Sequence, residues 1–187
     1  MAAEERGAAV CLGFFDGVHR GHLALVQSAR RIAQAEGLIV CVHTFSTAPG
    51  DKGESLTTLR EREALLRAAG ADQVAVSPFD ETMRRMSGED FFRDVVLERL
   101  HARHVICGDD HRFGYRGAWG VADLARMCES AGVGLTVVPP VTLPDGSRIS
   151  TTALRFALLR QDWAAAESML GRPVPADMRA RFTQGYK

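Results

Sequence analysis

The sequence predicts an α/β fold in which a five-stranded parallel sheet carries helices on both faces. Short apolar runs alternate along the chain with longer segments whose apolar residues recur at helical spacing. This strand–helix–strand order requires right-handed crossovers, which place the strands parallel. With 187 residues, the chain is long enough to bury a substantial core within one domain.

The elements are predicted from periodicity and from turn residues. Strands are predicted at residues 8–12, 38–45, 73–76, 104–107 and 132–138. Helices are predicted at residues 21–36, after a cap at Thr57 or Thr58, across residues 83–100 with a cap at Ser87, from Val121, and from Ser150 onward. Asp145-Gly146 predicts a tight hairpin turn.

The charged run that follows Thr58 is interpreted as the solvated face of a helix. Its members are Arg60, Glu61, Arg62 and Glu63. The polar loop before it, residues 46–54, contains a proline and two glycines and is expected to be mobile.

Composition excludes several function classes. The chain has 23 basic and 23 acidic residues, so no global charge attracts nucleic acid or a membrane surface. The four cysteines, at positions 11, 41, 107 and 128, form no C-x-x-C pair, and three of them lie in apolar runs typical of core strands. No segment is long and apolar enough to be a leader or a membrane span. We therefore expect a cytoplasmic protein with reduced thiols.

Two histidines, His19 and His22, lie where the first predicted strand gives way to a helix. Unpaired backbone N–H groups and the helix dipole favour an anion there, and residues three apart can point the same way. Gly17 and Gly21 allow close approach because they have no Cβ. The pair therefore predicts a phosphate site. Ordinary loop and cap residues, or two metal ligands, are the alternatives for H-x-x-H alone, although no third metal ligand is evident nearby.

Residues 13–22, Gly-Phe-Phe-Asp-Gly-Val-His-Arg-Gly-His, resemble the H-x-G-H signature of the nucleotidyltransferase superfamily, in the form used by bacterial FAD synthetases (FMN adenylyltransferases). The resemblance implies a Rossmann-like nucleotidyltransferase fold. It also implies that a substrate phosphate attacks the α-phosphorus of a nucleoside triphosphate, with Mg²⁺ as cofactor and pyrophosphate leaving. His19 and His22 would be catalytic. The expected nucleotide-binding residues here are Gly13, Phe14, Phe15, Asp16 and Gly21, although Asp16 is equally interpreted as a turn carboxylate that bonds backbone amides.

A second motif begins the helix predicted from Ser150. Hydroxyl groups and free backbone N–H groups coincide there with an arginine one turn later, a combination suited to phosphates. Residues 149–155 resemble the I-S-S-T-x-I-R element of the same superfamily, which implies nucleotide binding by Ser150, Thr151 and Thr152 and a catalytic role for Arg155. An isolated string of this kind would only be a helix cap. The I-S-T-T spelling also occurs in cytidylyltransferases, so CTP is an alternative to ATP.

The acceptor side is predicted from two further matches to the family. Residues 108–114 resemble its G-x-D/N-F-x-F-G motif, which follows a strand where ligands bind in open α/β sheets. The resemblance implies that Gly108 lies at the nucleotide. It also implies substrate contacts by Phe45, Pro49, Asp110, His111, Arg112 and Phe113. Two departures affect the acceptor: Ala48 replaces a histidine, for which His43 is a candidate substitute, and His111 replaces a phenylalanine.

The resemblance covers residues 8–173, and the predicted domain is residues 1–173 with a tail at 174–187. The tail is too short for a riboflavin kinase barrel, so kinase activity is not expected. The leading function is synthesis of FAD and pyrophosphate from ATP and FMN. The alternatives are the same chemistry on a different phosphorylated acceptor or with CTP, and a nucleotide- or flavin-binding module without turnover.

Overall fold

Five parallel strands form one sheet in the computed structural model, which describes residues 7–49 and 54–184. The order across the sheet is β3-β2-β1-β4-β5. The strands are β1 (Ala8–Leu12), β2 (Ile39–Phe45), β3 (Gln73–Ser77), β4 (Ala102–Gly108) and β5 (Gly134–Val138). The predicted five-stranded parallel sheet is confirmed.

The helices other than α8 lie close to their predicted positions. They are α1 (Arg20–Glu36), α2 (Leu59–Ala68), α3 (Glu81–Arg85), α4 (Gly88–Asp90), α5 (Val121–Ala131), α6 (Thr151–Leu159), α7 (Trp163–Leu170) and α8 (Ala176–Thr183). A π-helix, Phe91–Arg99, continues α4. The predicted caps Thr58, Ser87 and Ser150 each accept a hydrogen bond from a backbone N–H in the first turn of their helix.

Helices cover both faces of the sheet, as predicted. On one face, α1 and α2 pack on the strands through a buried cluster that includes Val26, Ala29 and Leu66. On the other face, the π-helix and α5 pack through residues such as Val96 and Leu124. Both faces of the central strands β1 and β2 are therefore removed from water, which accounts for their nearly continuous apolar sequence.

The chain direction across the sheet reverses between β1 and β4. From β1 the chain moves to β2 and β3 on one side, whereas β4 and β5 lie on the other side. The loops that leave the carboxyl ends of β1 and β4 therefore diverge and open a crevice, which is where open α/β sheets bind ligands. Topology alone thus brings the loops after Leu12 and Gly108 to the same crevice.

The expectation that Arg62 faces water is wrong. Its side chain is 1% exposed, because Arg62 lies three residues after Leu59 and four before the buried Leu66, on the apolar stripe of α2. Its Nη2 donates to the carbonyl of Phe45 at 2.6 Å, and its guanidinium lies 4.3 Å from the centre of the Phe14 ring. Its Nε and Nη1 atoms are buried without a hydrogen-bond partner.

The segment after residue 173, which the sequence predicts as a tail, contains the helix α8. Met178 and Phe182 are buried in a third apolar cluster with Leu56, Leu158 and Leu170. This cluster joins α6, α7 and α8, so the packed part of the chain extends beyond the predicted boundary.

The remaining predictions concern loops and termini. The Asp145-Gly146 turn is confirmed, because Thr142 and Arg148 form an antiparallel bridge around it. Residues 50–53 of the predicted mobile loop, residues 1–6 and the last three residues of the predicted tail lie outside the described residues. Within the described part of the chain, no helix has the length and apolarity needed to cross a membrane.

Met178→Ala tests whether α8 is a packed element. Met178 is 1% exposed, and truncating a buried methionine removes apolar contacts and leaves a cavity. We expect the free energy of unfolding, measured by urea denaturation, to fall by about 2–5 kcal/mol. Ala180→Gln, at an exposed position of the same helix, is the control and should change it by less than about 0.5 kcal/mol. Equal values for the two variants would contradict the packing of α8.

His43→Gln tests the cost of burying a neutral imidazole in β2. His43 is 1% exposed, and burial lowers its pKa to about 3. Below its ordinary pKa of about 6.5 the unfolded chain binds a proton that the folded chain does not, so acid destabilises the fold through this window. We expect His43→Gln to reduce the pH dependence of the unfolding free energy between about pH 5 and 6 by up to ~1.4 kcal/mol per pH unit. An unchanged slope would contradict the buried neutral state.

Candidate active site

A cavity of about 280 Å³ lies at the carboxyl ends of β1, β4 and β5. The predicted site residues that line it are Gly13, Phe15, His19, Gly21, His22, Gly108, Asp110, His111, Ser150, Thr151 and Thr152. Segments from opposite ends of the sequence therefore meet in this cavity. The remaining wall includes the apolar run 138–141, together with Asp109 and Arg148.

His19 and His22 form a stacked pair at the start of α1. Their ring centroids are 3.7 Å apart, with an angle of 16° between the planes. His19 is the N-cap of the helix, and its Nδ1 accepts a hydrogen bond from the backbone N–H of His22. A Cβ at Gly21 would lie 3.0 Å from the His19 ring, so glycine leaves the space that the ring occupies. Because Nδ1 accepts, the proton of the neutral His19 ring is on Nε2.

Burial keeps both imidazoles neutral near pH 7. Burial lowers the pKa of His19 to about 4, an effect that Arg172 strengthens and Asp16 opposes. The pKa of His22 is also well below its ordinary value, first because of burial and then because of His19 and Arg62. The Nδ1 atom of His22 is buried and has no hydrogen-bond partner. The His22 ring, which lines the cavity, therefore has a ring nitrogen without a hydrogen-bond partner next to the His19 ring.

The second predicted motif meets the histidine pair at the N-terminus of α6. The Oγ1 atom of Thr151 lies 3.5 Å from Nε2 of His19, although 132 positions separate the two residues. Ser150 caps α6 by accepting a hydrogen bond from the N–H of Ala153. The N-termini of α1 and α6 thus open on the same cavity, so free N–H groups and the positive ends of two helix dipoles favour an anion there.

Asp16 lies behind this cavity and does not line it. Its side chain is 3% exposed, and its carboxylate accepts hydrogen bonds from the N–H groups of Leu56 and Thr57 and from the Thr57 hydroxyl. The turn-carboxylate interpretation of Asp16 therefore describes its contacts better than direct nucleotide binding. Phe14 also lies outside the cavity, beneath the guanidinium of Arg62.

Arg155, predicted as a catalytic cation, is likewise not part of the cavity lining. Its Nη1 donates to the carbonyl of Glu54 at 2.7 Å, and its Nη2 lies 3.5 Å from the Asp16 carboxylate. The arginine that does line the cavity is Arg148, which sequence reasoning missed. Its Nη2 lies 2.6 Å from Asp109 and 3.0 Å from Asp110. Its position directly before the Ile149-Ser150 motif was the available signal.

Two of the predicted acceptor residues, Asp110 and His111, line the cavity, whereas the others do not. His111 stacks on Phe113, its Nε2 is buried without a partner, and burial lowers its pKa to about 4. Phe113 is buried next to Phe91, and Arg112 donates to the carbonyls of residues 117 and 118. Phe45 packs against His43 and Phe79, and neither it nor Pro49 lines the cavity.

His43 does not take the place of the histidine that is absent at position 48. Its ring is buried, and its Nε2 is 2.7 Å from the hydroxyl of Ser77 on β3. The side chain does not line the cavity, because its position in β2 directs it to the face of the sheet that the π-helix covers, where it contacts Phe91. Nothing in the cavity lining therefore restores an imidazole from β2.

Metal-binding groups are sparse around the cavity. Over the parts of the chain that the structure describes, no group of three or more histidine, cysteine, aspartate or glutamate side chains is placed to hold a metal ion. The carboxylates that line the cavity are Asp109 and Asp110. Any divalent cation here would take most of its ligands from a bound anion and from water.

The chain resembles curated and structurally known proteins over most of its length. It is 35% identical over 180 residues to the bifunctional riboflavin kinase/FMN adenylyltransferase of Escherichia coli K12, a match that covers 91% of this chain and 56% of the relative. It is 32% identical over 171 residues to a Geobacillus thermodenitrificans protein named "putative bifunctional riboflavin kinase/FMN adenylyltransferase". This match covers 90% of this chain and 92% of the relative. The chain thus spans about half the length of the E. coli relative.

A solved structure from Streptococcus pneumoniae, named a macrolide-efflux protein, superposes with a TM-score of 0.79. It is 27% identical, and the match covers 89% of this chain and 57% of that one. The model of the FAD synthetase family matches residues 1–153, a span that contains the histidine pair and the cap of α6. The chain therefore belongs to the FAD synthetase family.

Proposed function

We propose that this protein is an FMN adenylyltransferase, which transfers AMP from ATP to FMN and releases pyrophosphate. The observation that carries the proposal is the convergence of the His19-His22 pair and the N-terminus of α6 on one cavity, with Thr151 Oγ1 3.5 Å from His19 Nε2. Membership of the FAD synthetase family, and relatives named FMN adenylyltransferases, support the choice of substrates.

The chemistry requires no protein nucleophile. A phosphate oxygen of FMN attacks the α-phosphorus of ATP in line, a new P–O bond forms, and the bond to the bridging oxygen of the pyrophosphate breaks. The attacking phosphate is already ionised, so no base is needed to remove a proton. Catalysis then depends on positioning the two phosphates and on stabilising the charge that develops on their oxygens.

The histidines and the N-terminus of α6 divide the phosphate contacts between them. His19 Nε2–H and the His22 ring donate to the α-phosphate, whereas Ser150, Thr151 and Thr152 hold the β- and γ-phosphates with the free N–H groups of α6. Phosphate charge favours the protonated form of an imidazole, so a bound triphosphate raises the low pKa values of the pair. The donors become stronger at the moment the anion is in place.

The remaining cavity walls suit the nucleoside and the acceptor. The apolar residues 138–141 face the adenosine, with Gly13 and Gly108 below it, and the loop that holds Asp110 and His111 faces the flavin. Arg148 reaches the pyrophosphate after leaving Asp109 and Asp110. Arg155 acts by holding the Asp16 carboxylate and the carbonyl of Glu54, so we assign it an anchoring role.

Mg²⁺ fits this site as a companion of the triphosphate. Mg²⁺ commonly binds through one or two carboxylates together with substrate phosphates and water. Asp109 and Asp110 are hard oxygen donors at the cavity wall and would hold it there. When bound, the ion neutralises phosphate charge, and the orientation of the phosphates remains the task of the histidines and α6.

His22→Ala tests the catalytic pair. We expect kcat for FAD formation to fall about a hundredfold or more, because removing one preorganised donor to developing charge typically costs that much. His101→Asn is the matched control, since His101 is exposed before the amino end of β4 and asparagine tolerates its positive φ. FAD formation is followed by chromatography, and thermal unfolding is measured for both variants. A folded His22→Ala protein with near-normal kcat would contradict the proposed role.

A substrate panel tests the proposed reaction itself. The purified protein is incubated with Mg²⁺, each of the four ribonucleoside triphosphates, and FMN, riboflavin or one of several other phosphorylated small molecules. Pyrophosphate release is measured for each mixture, and ATP binding is measured separately. We expect release only with the pair ATP and FMN, with FAD as the product. Riboflavin should give no release because it lacks the phosphate whose oxygen attacks ATP.

The other outcomes each contradict the proposal in a distinct way. Release with CTP would support a cytidylyltransferase, and release only with another phosphorylated acceptor would replace FMN. Binding of ATP without release under any condition would indicate a nucleotide-binding module without turnover.

A further inference from the structure

The turn between β1 and α1 has an unusual backbone. Phe15 and Val18 have positive φ values of 59° and 42°, and Gly17 between them has a φ of 76°. A positive φ is costly for a residue with a Cβ, and most of all for a β-branched residue such as valine. A conformation of this kind costs on the order of 1–3 kcal/mol and persists only where surrounding contacts hold it. Since His19 follows Val18 directly, these contacts also determine where its ring points.

Arg172 provides two of these contacts from the far end of the chain. It follows α7, and its Nη1 donates to the carbonyl of Val18 at 2.7 Å while its Nη2 donates to the carbonyl of Gly17 at 2.8 Å. A planar guanidinium can hold two successive carbonyls in one fixed orientation, whereas an ammonium group cannot. The carbonyl of Val18 belongs to the peptide that joins it to His19.

The position of this arginine is itself fixed by packing. Arg172 comes two residues after Leu170, which is fully buried in the apolar cluster of α6, α7 and α8. Helix α7, which precedes Arg172, also contacts α1, because Arg20 Nη1 donates to the carbonyl of Ser168. The guanidinium is half-buried, and burial lowers its pKa. Its charge is close enough to His19 to act on that imidazole.

We propose that Arg172 is a positioning residue for the adenylyl transfer, which holds the strained Gly17–Val18 backbone so that His19 presents its Nε2–H to the cavity. The inference rests on the proposed function and extends it to a residue beyond the 1–153 span that the family model matches. Arg172 does not line the cavity, so it acts through His19 rather than on the phosphates.

The test compares Arg172→Lys with Arg172→Ala. Lysine keeps the charge but loses the paired hydrogen bonds, so we expect kcat to fall about tenfold to a hundredfold, the scale of a misplaced catalytic group. The KM for ATP should change less than threefold, because the pyrophosphate contacts of α6 are unaffected. Guanidinium chloride, at concentrations below those that unfold the protein, should restore part of the activity of Arg172→Ala.

Arg179→Ala is the matched control. Arg179 lies in α8 and pairs with Glu167 of α7. It does not contact the turn between β1 and α1. Any destabilisation it causes measures the structural contribution of this region. Its kcat should stay near that of the unchanged protein when assayed below the unfolding transition, and guanidinium should not increase it.

A second readout uses no substrate. The pKa of His19 is followed by NMR in the unchanged protein and the variants, with Asp16, Asp110 and Arg172 as the charged groups that act on it. We expect the His19 pKa to rise in Arg172→Ala, because this change removes a cation that disfavours the protonated imidazole. In Arg172→Lys it should stay at about 4. If Arg172→Ala does not fold, Arg172→Lys decides through its kcat.

The outcomes separate this inference from the proposed function. Normal kcat in a folded Arg172→Lys protein overturns the inference, as does loss of activity that guanidinium cannot restore in a folded Arg172→Ala protein. If the unchanged protein makes no FAD, the proposed function fails. The His19 pKa then decides alone: an increase in Arg172→Ala supports the contact, and no change overturns it.

Discussion

The buried carboxylate of Asp16 joins three segments that are distant in the sequence. It belongs to the turn after β1, accepts hydrogen bonds from the backbone of Leu56 and Thr57, and lies 3.5 Å from Arg155 on α6. A buried charge is tolerated only when it is paired and hydrogen-bonded, and these partners meet that requirement. The same contacts hold α6 against the turn between β1 and α1. The cavity therefore depends on the Asp16 carboxylate, although Asp16 does not line it.

The proposed anion site is therefore built from backbone and neutral donors rather than from a cluster of free cations. The chain has no net charge, and Arg148, which lines the cavity, is paired with Asp109 and Asp110. In this proposal, two helix N-termini and the His19 Nε2–H supply the attraction. Such donors are already oriented before the ligand arrives, which is the condition under which they stabilise developing charge most effectively.

Sequence reasoning identified what depends on local pattern. The strands and the caps follow from short-range spacing, and the two predicted phosphate motifs meet where Thr151 Oγ1 lies 3.5 Å from His19 Nε2. It failed where tertiary contacts decide direction. Arg62 is a charged residue on the apolar stripe of α2. Its partners, the Phe45 carbonyl and the Phe14 ring, come next to it only in the folded chain.

The same limit applies to the other arginines. Arg155 and Arg148 both stand next to a recognisable motif, yet the first contacts Asp16 and the second lines the cavity. Their positions follow from where α6 and the 141–149 hairpin pack, which no periodicity encodes. Arg172 lies 154 positions from Val18, so its contact is likewise invisible until α7 is placed.

Burial keeps the imidazoles of the histidine pair neutral, and two neighbouring arginines strengthen that effect. Arg62 acts on His22 and Arg172 acts on His19, and each lowers the pKa of its neighbour beyond the effect of burial. Neither guanidinium lines the cavity, so neither competes with the imidazoles for the ligand. In the proposed complex, the protonation of the pair would depend on the ligand, because the negative charge of a triphosphate would act on both rings in the opposite direction to these two arginines.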